Sequence, residues 1–257
     1  MKICTYNAAS VRARLPRLLE WLDENEPDVV AIQETKVEND KFPREEFEAR
    51  GYELALNGQK SWNGVCFLSR LPIDNVQIGF GDELMPQDAR VISAAISGIE
   101  IINTYVPNGN TVGSEKWIYK MAWLERFARL LRERYSPQAP VIWLGDINIA
   151  PTGIDVYESE RKLGMVGHHP DEFSRLDRIV DFGLTDTYRH LYPTEVEYTF
   201  WDFTVPRAVD RKLGWRIDHI YVTEPLVGLV KDVEIDLAAR KLEKPSDHTF
   251  VTARLDL

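Results

Sequence analysis

Sulfur is scarce in this chain, with two cysteines, Cys4 and Cys66, among 257 residues. Each lies inside an apolar, strand-like run, which reads as two buried free thiols in a reducing compartment and excludes a disulfide-framed fold. Zinc chemistry lacks a foothold: there is no C-x-x-C, no H-E-x-x-H and no second histidine at ligand spacing. The absence of G-x-S-x-G removes the nucleophile elbow of a serine hydrolase. No apolar run approaches the roughly 20 residues that span a bilayer, and the start MKICTYN lacks the apolar stretch of a signal peptide. A cytoplasmic protein without membrane contact is therefore expected.

Positive charge is also in deficit. Against 41 acidic residues stand 31 basic ones, a formal net charge of -10. That balance argues against holding nucleic acid by charge alone, because non-specific affinity comes from Lys and Arg neutralising phosphates. It does not exclude DNA. Part of the acidic excess can gather around a cation, while Arg12, Arg14 and Arg17, or Arg207, Arg211, Lys212 and Arg216, meet a backbone; each run reads equally as a solvated face.

What is present is a hydrophobic fraction of 44%, enough to bury a full core. With no linker, low-complexity tract or internal repeat, residues 1–257 read as one domain. Strand-like runs recur as MKICTYN, DVVAIQE, GVCFLSR, RVISAAIS, IEIINTYV, APVIWLGD, RIDHIYVT, KDVEIDL and TFVTARLDL. A helix is expected over roughly 11–25, with Leu15, Leu18, Leu19 and Leu22 on one stripe and Pro27 beyond its end. A second covers roughly 115–134 behind Ser114 as N-cap, and a third about 171–182. Many strands with few helices imply two packed sheets with helices on the outer faces.

The polar residues that close these apolar runs carry the functional signal. CTYN ends at Asn7, VVAIQ is followed by Glu34, IINT by Tyr105, and VIWLG by Asp146, with Asn148 two residues on. RIDHI places Asp218 in the interior of a strand-like run, where an ionised carboxylate needs a partner or a metal. KPSDH adds Asp247 and His248 in a proline turn before the last strand. Singly, each has an ordinary explanation as a capped strand end or a satisfied turn. Together they form a hard-cation site, suited to Mg²⁺ or Mn²⁺, beside an acid/base pair. His168, His169, His190 and His219 have no comparable context.

With IQETK, TYVPNG, GDINIAP, GWRIDHI and KPSDH in this order, essentially the whole chain resembles the exonuclease III family of DNA repair nucleases. The resemblance implies a four-layer α/β sandwich, two mixed sheets flanked by helices. It implies Mg²⁺-dependent hydrolysis of phosphodiesters in double-stranded DNA by a monomer, removing nucleotides or blocking groups from 3′ ends, with incision beside abasic sites as a further activity. Glu34 and Asp247 would hold the metal, with Asn7 as ligand or support. Asp146 would deprotonate the attacking water, Asn148 would hold that water or a phosphoryl oxygen, and Tyr105 and His248 would meet the developing charge, with Asp218 fixing His248. Asn108 and Arg90 would contact phosphates, and Phe200, Trp215 and Ile217 would form an apolar pocket for a base-free sugar.

Two departures stand out. The family usually reads Trp-Asn-x-Asn-Gly or a close variant near the N-terminus, where this chain has Tyr6-Asn7-Ala8-Ala9-Ser10; Ala9 offers no side-chain ligand. The segment 157–170, YESERKLGMVGHHP, also matches poorly, which leaves open whether His168 or His169 blocks an abasic sugar or assists a 3′ terminus. The same chemistry on RNA, a phosphoinositide or a sphingolipid, and a catalytically weakened binding homologue, are the alternatives. The intact GDxN and SDH motifs weigh against the latter.

Overall fold

The computed structural model describes residues 1–257. Its strands in chain order begin with β1 (Lys2–Asn7), β2 (Val29–Gln33), β3 (Glu53–Asn57), β4 (Val65–Ser69), β5 (Ile73–Ile78) and β6 (Val91–Ile96). They continue with β7 (Ile99–Tyr105), β8 (Val141–Asp146), β9 (Leu184–Asp186), β10 (Asp218–Thr223), β11 (Val230–Ile235) and β12 (Val251–Leu255). Two six-stranded sheets result, in the orders β11-β12-β1-β2-β4-β3 and β5-β6-β7-β8-β10-β9. Each is mixed: β1 runs parallel to β2 and antiparallel to β12, and β8 runs parallel to β7 and antiparallel to β10.

Side-chain alternation along a strand sends successive residues to opposite faces. Ile3, Ala31, Phe67, Ile101, Ile142, Leu144 and Ile220 point between the sheets and form the central core. Cys4, Val30, Ile32 and Cys66 point outward and are covered by Leu18, Trp21 and Leu22 of helix α1 (Val11–Asn25). Behind the other sheet, Ile102, Trp143 and Tyr221 meet Trp117, Leu124 and Phe127 of α2 (Glu115–Arg134) and Leu176 and Ile179 of α3 (Pro170–Val180). The expected α/β sandwich of four layers is the observed one. Strands covered on both faces need no polar alternation, which is why VVAIQ and VIWLGD are buried throughout. No helix is long and apolar enough to cross a membrane.

Helix boundaries follow local chemistry. The Ser114 hydroxyl accepts from the Trp117 backbone N–H at 3.2 Å and starts α2. At α3 the His169 ring accepts from Asp171 N–H while Glu172 accepts from His169 N–H, a reciprocal cap that satisfies two otherwise orphaned donors.

All nine expected strand runs are strands, but β3, β5 and β9 carried too little signal. β5 is an exposed edge, IDNVQI, without alternation, and β9 has three residues. Asp218 is not interior to its strand; it is the first residue of β10, because Trp215 just before it pairs with Phe200 and Val156 instead of continuing the ladder.

Register delivers the site. Tyr105 at the end of β7 lies opposite Asp146 at the end of β8, and Asp218 lies opposite Asp146 from the other side. Gly145 makes that approach feasible: at φ 141° a Cβ there would stand 2.0 Å from the Thr104 carbonyl oxygen. Gly145→Ala should therefore force β7 and β8 apart and lower stability by about 3 kcal/mol, measured by chemical denaturation; an unchanged midpoint would contradict this packing argument.

Candidate active site

Asn7, Glu34, Tyr105, Asp146, Asn148, Asp218, Asp247 and His248, scattered through the chain, converge at one end of the sandwich. A cleft of about 400 Å³ is lined by Glu34, Tyr105, Asn108, Asp146, Asn148, Asp247 and His248 on its polar side, and by Val166, Phe200, Trp215 and Ile217 on its apolar side.

Asp146 is the most constrained member. Its Oδ1 accepts from the Asn148 backbone N–H at 2.9 Å, and its Oδ2 accepts from Asn7 Nδ2 at 2.8 Å. Burial pushes its carboxyl up to about 7, helped by the nearby negative charges of Asp218 and Glu34 and opposed by His248 and Asn7. Asn7 also donates to Glu34 Oε1 at 2.9 Å, so one amide serves two carboxylates. The Asn7 side-chain oxygen Oδ1 accepts from Ala9 N–H at 2.9 Å. Orientation of Asn7 thus needs only the backbone at position 9, and its engaged oxygen favours the supporting role over ligation.

Glu34 follows β2 in a left-handed conformation (φ 51°). Its Oε2 meets Lys36 Nζ at 2.6 Å. Burial disfavours its charge, yet the bonds from Lys36 and Asn7 win and hold the carboxyl below its ordinary value. Lys36, within the quoted IQETK motif, was not singled out in the sequence; its spacing of two from Glu34 was the available signal.

His248 Nδ1 lies 2.8 Å from Asp218 Oδ2, and its Nε2 lies 3.7 Å from Asp146 Oδ2. Burial alone would neutralise the ring, but Asp218 and Asp146 outweigh it and raise the imidazole to about 10. The ring is therefore a cation, with Nδ1–H donating to Asp218 and Nε2–H facing the cleft. The turn preceding it is pinned to β1, since Ser246 Oγ donates to the Asn7 carbonyl at 2.8 Å and accepts from His248 N–H. Tyr105 keeps its proton: burial, then the charges of Glu34 and Asp146, raise its phenol well above the ordinary value.

The donor set suits a hard cation. Glu34, Asp146 and His248 place ligand-type atoms within 4.8 Å of one another. Asp247 lines the same cleft. His248 spends its ring on Asp218, so the groups left for a metal are carboxylate oxygens, the ligands preferred by Mg²⁺ or Mn²⁺. Four carboxylates facing one imidazolium and one ammonium also leave negative charge for a divalent ion to offset.

Of the substrate residues read from the sequence, Asn108, Phe200, Trp215 and Ile217 line the cleft. Arg90 does not; its guanidinium lies 4.7 Å from the centre of the Tyr105 ring and donates to the Tyr105 carbonyl, so it backs Tyr105. Arg216 is removed from the group of candidate phosphate contacts: it is buried, and Asp155 and Asp186 pair with it at 2.6 and 2.8 Å. His219 is not context-free either, since it is enclosed beside Arg216, Asp186 and the Ile149 carbonyl.

The poorly matching segment contributes Val166 and Gly167 to the cleft, not its histidines. His168 is buried, bonded to the Ala150 carbonyl and Ser159 Oγ, and His169 caps α3. Asp202 also lines the cleft, and no motif marked it.

The chain is similar to known proteins in sequence and fold. The Endonuclease/Exonuclease/phosphatase family matches residues 4–248. Exodeoxyribonuclease III of Haemophilus influenzae is 31% identical over 98% of this chain and 99% of its own. An AP endonuclease from Archaeoglobus fulgidus superposes with a TM-score of 0.97 at 40% identity, covering both chains fully. A 3′ phosphatase from Neisseria, solved with a product DNA hairpin, gives 0.95 at 37% identity, also with full coverage of both.

If Asp218 is the main anion holding the His248 proton, Asp218→Asn should lower the ring's titration midpoint by roughly two units, read from ring nitrogen shifts across a pH series. A midpoint that stays in place would assign the proton to another neighbour.

Proposed function

The chain belongs to the endonuclease/exonuclease/phosphatase family, and from that premise we propose that it is a Mg²⁺-dependent DNA repair phosphodiesterase acting at 3′ ends of duplex DNA. The observation that carries this reading is Asp146, held by Asn7 and Asn148 at the floor of one cleft, with Glu34 and a protonated His248 within reach. The three relatives named above share hydrolysis of phosphate esters in DNA; incision beside abasic sites is a further activity of the same cleft.

The barrier to uncatalysed phosphodiester cleavage asks for on the order of 20 kcal/mol of stabilisation, whereas a general base supplies about 10²- to 10⁴-fold. Most of the effect must be electrostatic and positional. Glu34 and Asp247 would hold Mg²⁺ or Mn²⁺, with Asn7 steadying the carboxylates, and the ion would offset charge on the phosphoryl oxygens. Asp146 takes the proton of the attacking water, a task matched by a carboxyl raised towards neutrality. Both of its oxygens are already oriented by N–H donors, so it presents a fixed lone pair instead of a rotating one.

His248 offers Nε2–H, and Tyr105 its phenol O–H, to oxygens gaining negative charge. Asp218 keeps His248 cationic by accepting from Nδ1, so the ring donates without surrendering charge to the apolar surroundings. Asn148 and Asn108, joined by a 3.1 Å bond from Asn108 Nδ2 to Asn148 Oδ1, flank the reacting group. Phe200, Trp215 and Ile217 give a terminal or base-free sugar an apolar wall, and Gly167 leaves room against it: a Cβ there would stand 3.2 Å from the Trp215 ring. Buried free thiols at Cys4 and Cys66 suit a reducing compartment such as the cytoplasm.

A duplex with a recessed 3′ end should be shortened when Mg²⁺ is supplied and left intact with EDTA. Asp146→Asn should cut the rate by roughly 10²- to 10⁴-fold; full activity in that variant would remove the mechanism. The same assay on a duplex with an internal abasic site measures the balance between the two activities.

A further inference from the structure

We propose that Lys120 is a positioning residue whose buried ammonium ties together the three loops that bring Asn108, Asn148 and Gly167 to the cleft. The proposal rests on the nuclease reading of that cleft. Lys120 projects from α2 and is fully buried, so it touches no substrate. Its Nζ donates to the Asn108 carbonyl at 3.1 Å and the Asn148 carbonyl at 2.8 Å, and meets Glu172 Oε1 at 2.5 Å. Three protons thus find three acceptors, one on each of two cleft loops and one on α3.

Glu172 extends the clamp. Its Oε1 accepts from Gly167 N–H and its Oε2 from His169 N–H, both at 3.1 Å, which fixes the loop that sets Gly167 against Trp215. Asn148 sits at φ 54°, a strained conformation for a non-glycine residue, and its inward carbonyl is the atom Lys120 holds. The loop after Tyr105 packs on the lysine stem, since a Cβ on Gly109 would meet Lys120 Cδ at 3.1 Å. The Asn108–Asn148 pair is therefore anchored on both sides by the same charge.

A fully buried ion pair adds little net stability over an apolar pair of similar size, which leaves placement of these loops as its distinctive contribution. The test is the double variant Lys120→Met with Glu172→Gln, which removes both charges together and leaves no orphaned ion. It should fold, and on a 3′-recessed duplex its kcat should fall at least about tenfold while KM changes less than about threefold. The Asn108 and Asn148 side-chain amide resonances should shift. A folded double variant with kcat within about twofold of the parent, or with those resonances unmoved, overturns the proposal. A parent that leaves the duplex intact overturns the nuclease reading instead, and the amide resonances then decide the role of Lys120.

Should the double variant not fold, Glu172→Gln alone decides. Burial already lowers the Lys120 pKa, and Glu172, then Asp146, are the charges that oppose this. Without the Glu172 charge the lysine should lose its proton at lower pH, so kcat should decline with rising pH where the parent stays level. Superimposable profiles overturn the proposal.

Discussion

The Asn7 side-chain amide donates both of its protons to carboxylates that belong to different sheets, Glu34 beyond β2 and Asp146 at the end of β8. Without those donors, two anions would face each other across the seam of the sandwich with only repulsion between them. With them, the ends of the two sheets acquire a fixed separation, and every other polar group of the cleft can be placed relative to it. Ser246 reaches the backbone of the same residue and brings the Asp247–His248 turn into the frame. One residue at the end of the first strand thus sets the coordinates for contributions from both sheets and the last loop.

Deeper inside, the sheets are joined by neutral bonds. Gln33 donates to Thr5 Oγ1 and Asn103 Oδ1, and Asn103 donates to the Ile32 and Cys66 carbonyls across the core. Uncharged amides suit this position, because they satisfy backbone acceptors without the desolvation cost of ions. Charge is concentrated instead in the cleft and in two buried clusters behind it, Lys120 with Glu172, and Arg216 with Asp155 and Asp186. The first holds the polar side of the cleft. The second fixes Arg216 between Trp215 and Ile217, and so holds its apolar side.

How much of this was legible in the sequence follows from the range of each interaction. Strands β1, β2 and β8 announce themselves because burial on both faces demands continuous apolar runs, and the polar residue that ends each run marks the cleft. Ser114 and the stripe on α2 are local signals as well. The edge strand β5 is exposed and has no such demand, and β3 buries only Ala55 and Leu56, too short a run to announce itself. Arg216 looks like any surface arginine in a basic stretch until the fold brings Asp155 and Asp186 to it, and Lys120 looks like a polar-face lysine of α2. Arg90 lies against Tyr105, and His168 and His169 lie outside the cleft lining, for a related reason: a motif fixes chain position, while the direction of a side chain depends on neighbours far away in sequence. The motifs pointed to residues that the fold gathers at one cleft, and the hydrogen bonds around Asp146 hold Asn7, Glu34 and Asn148 together there.

Cys4 and Cys66 lie under α1, and burial pushes both thiols up, Cys4 to about 12. Since thiolate is the reactive form, neither sulfur can be alkylated or oxidised while that helix stays seated. The pair is thus an internal reporter: the rate at which a thiol reagent consumes it times the lifting of α1 from the first sheet, with no probe added to the protein.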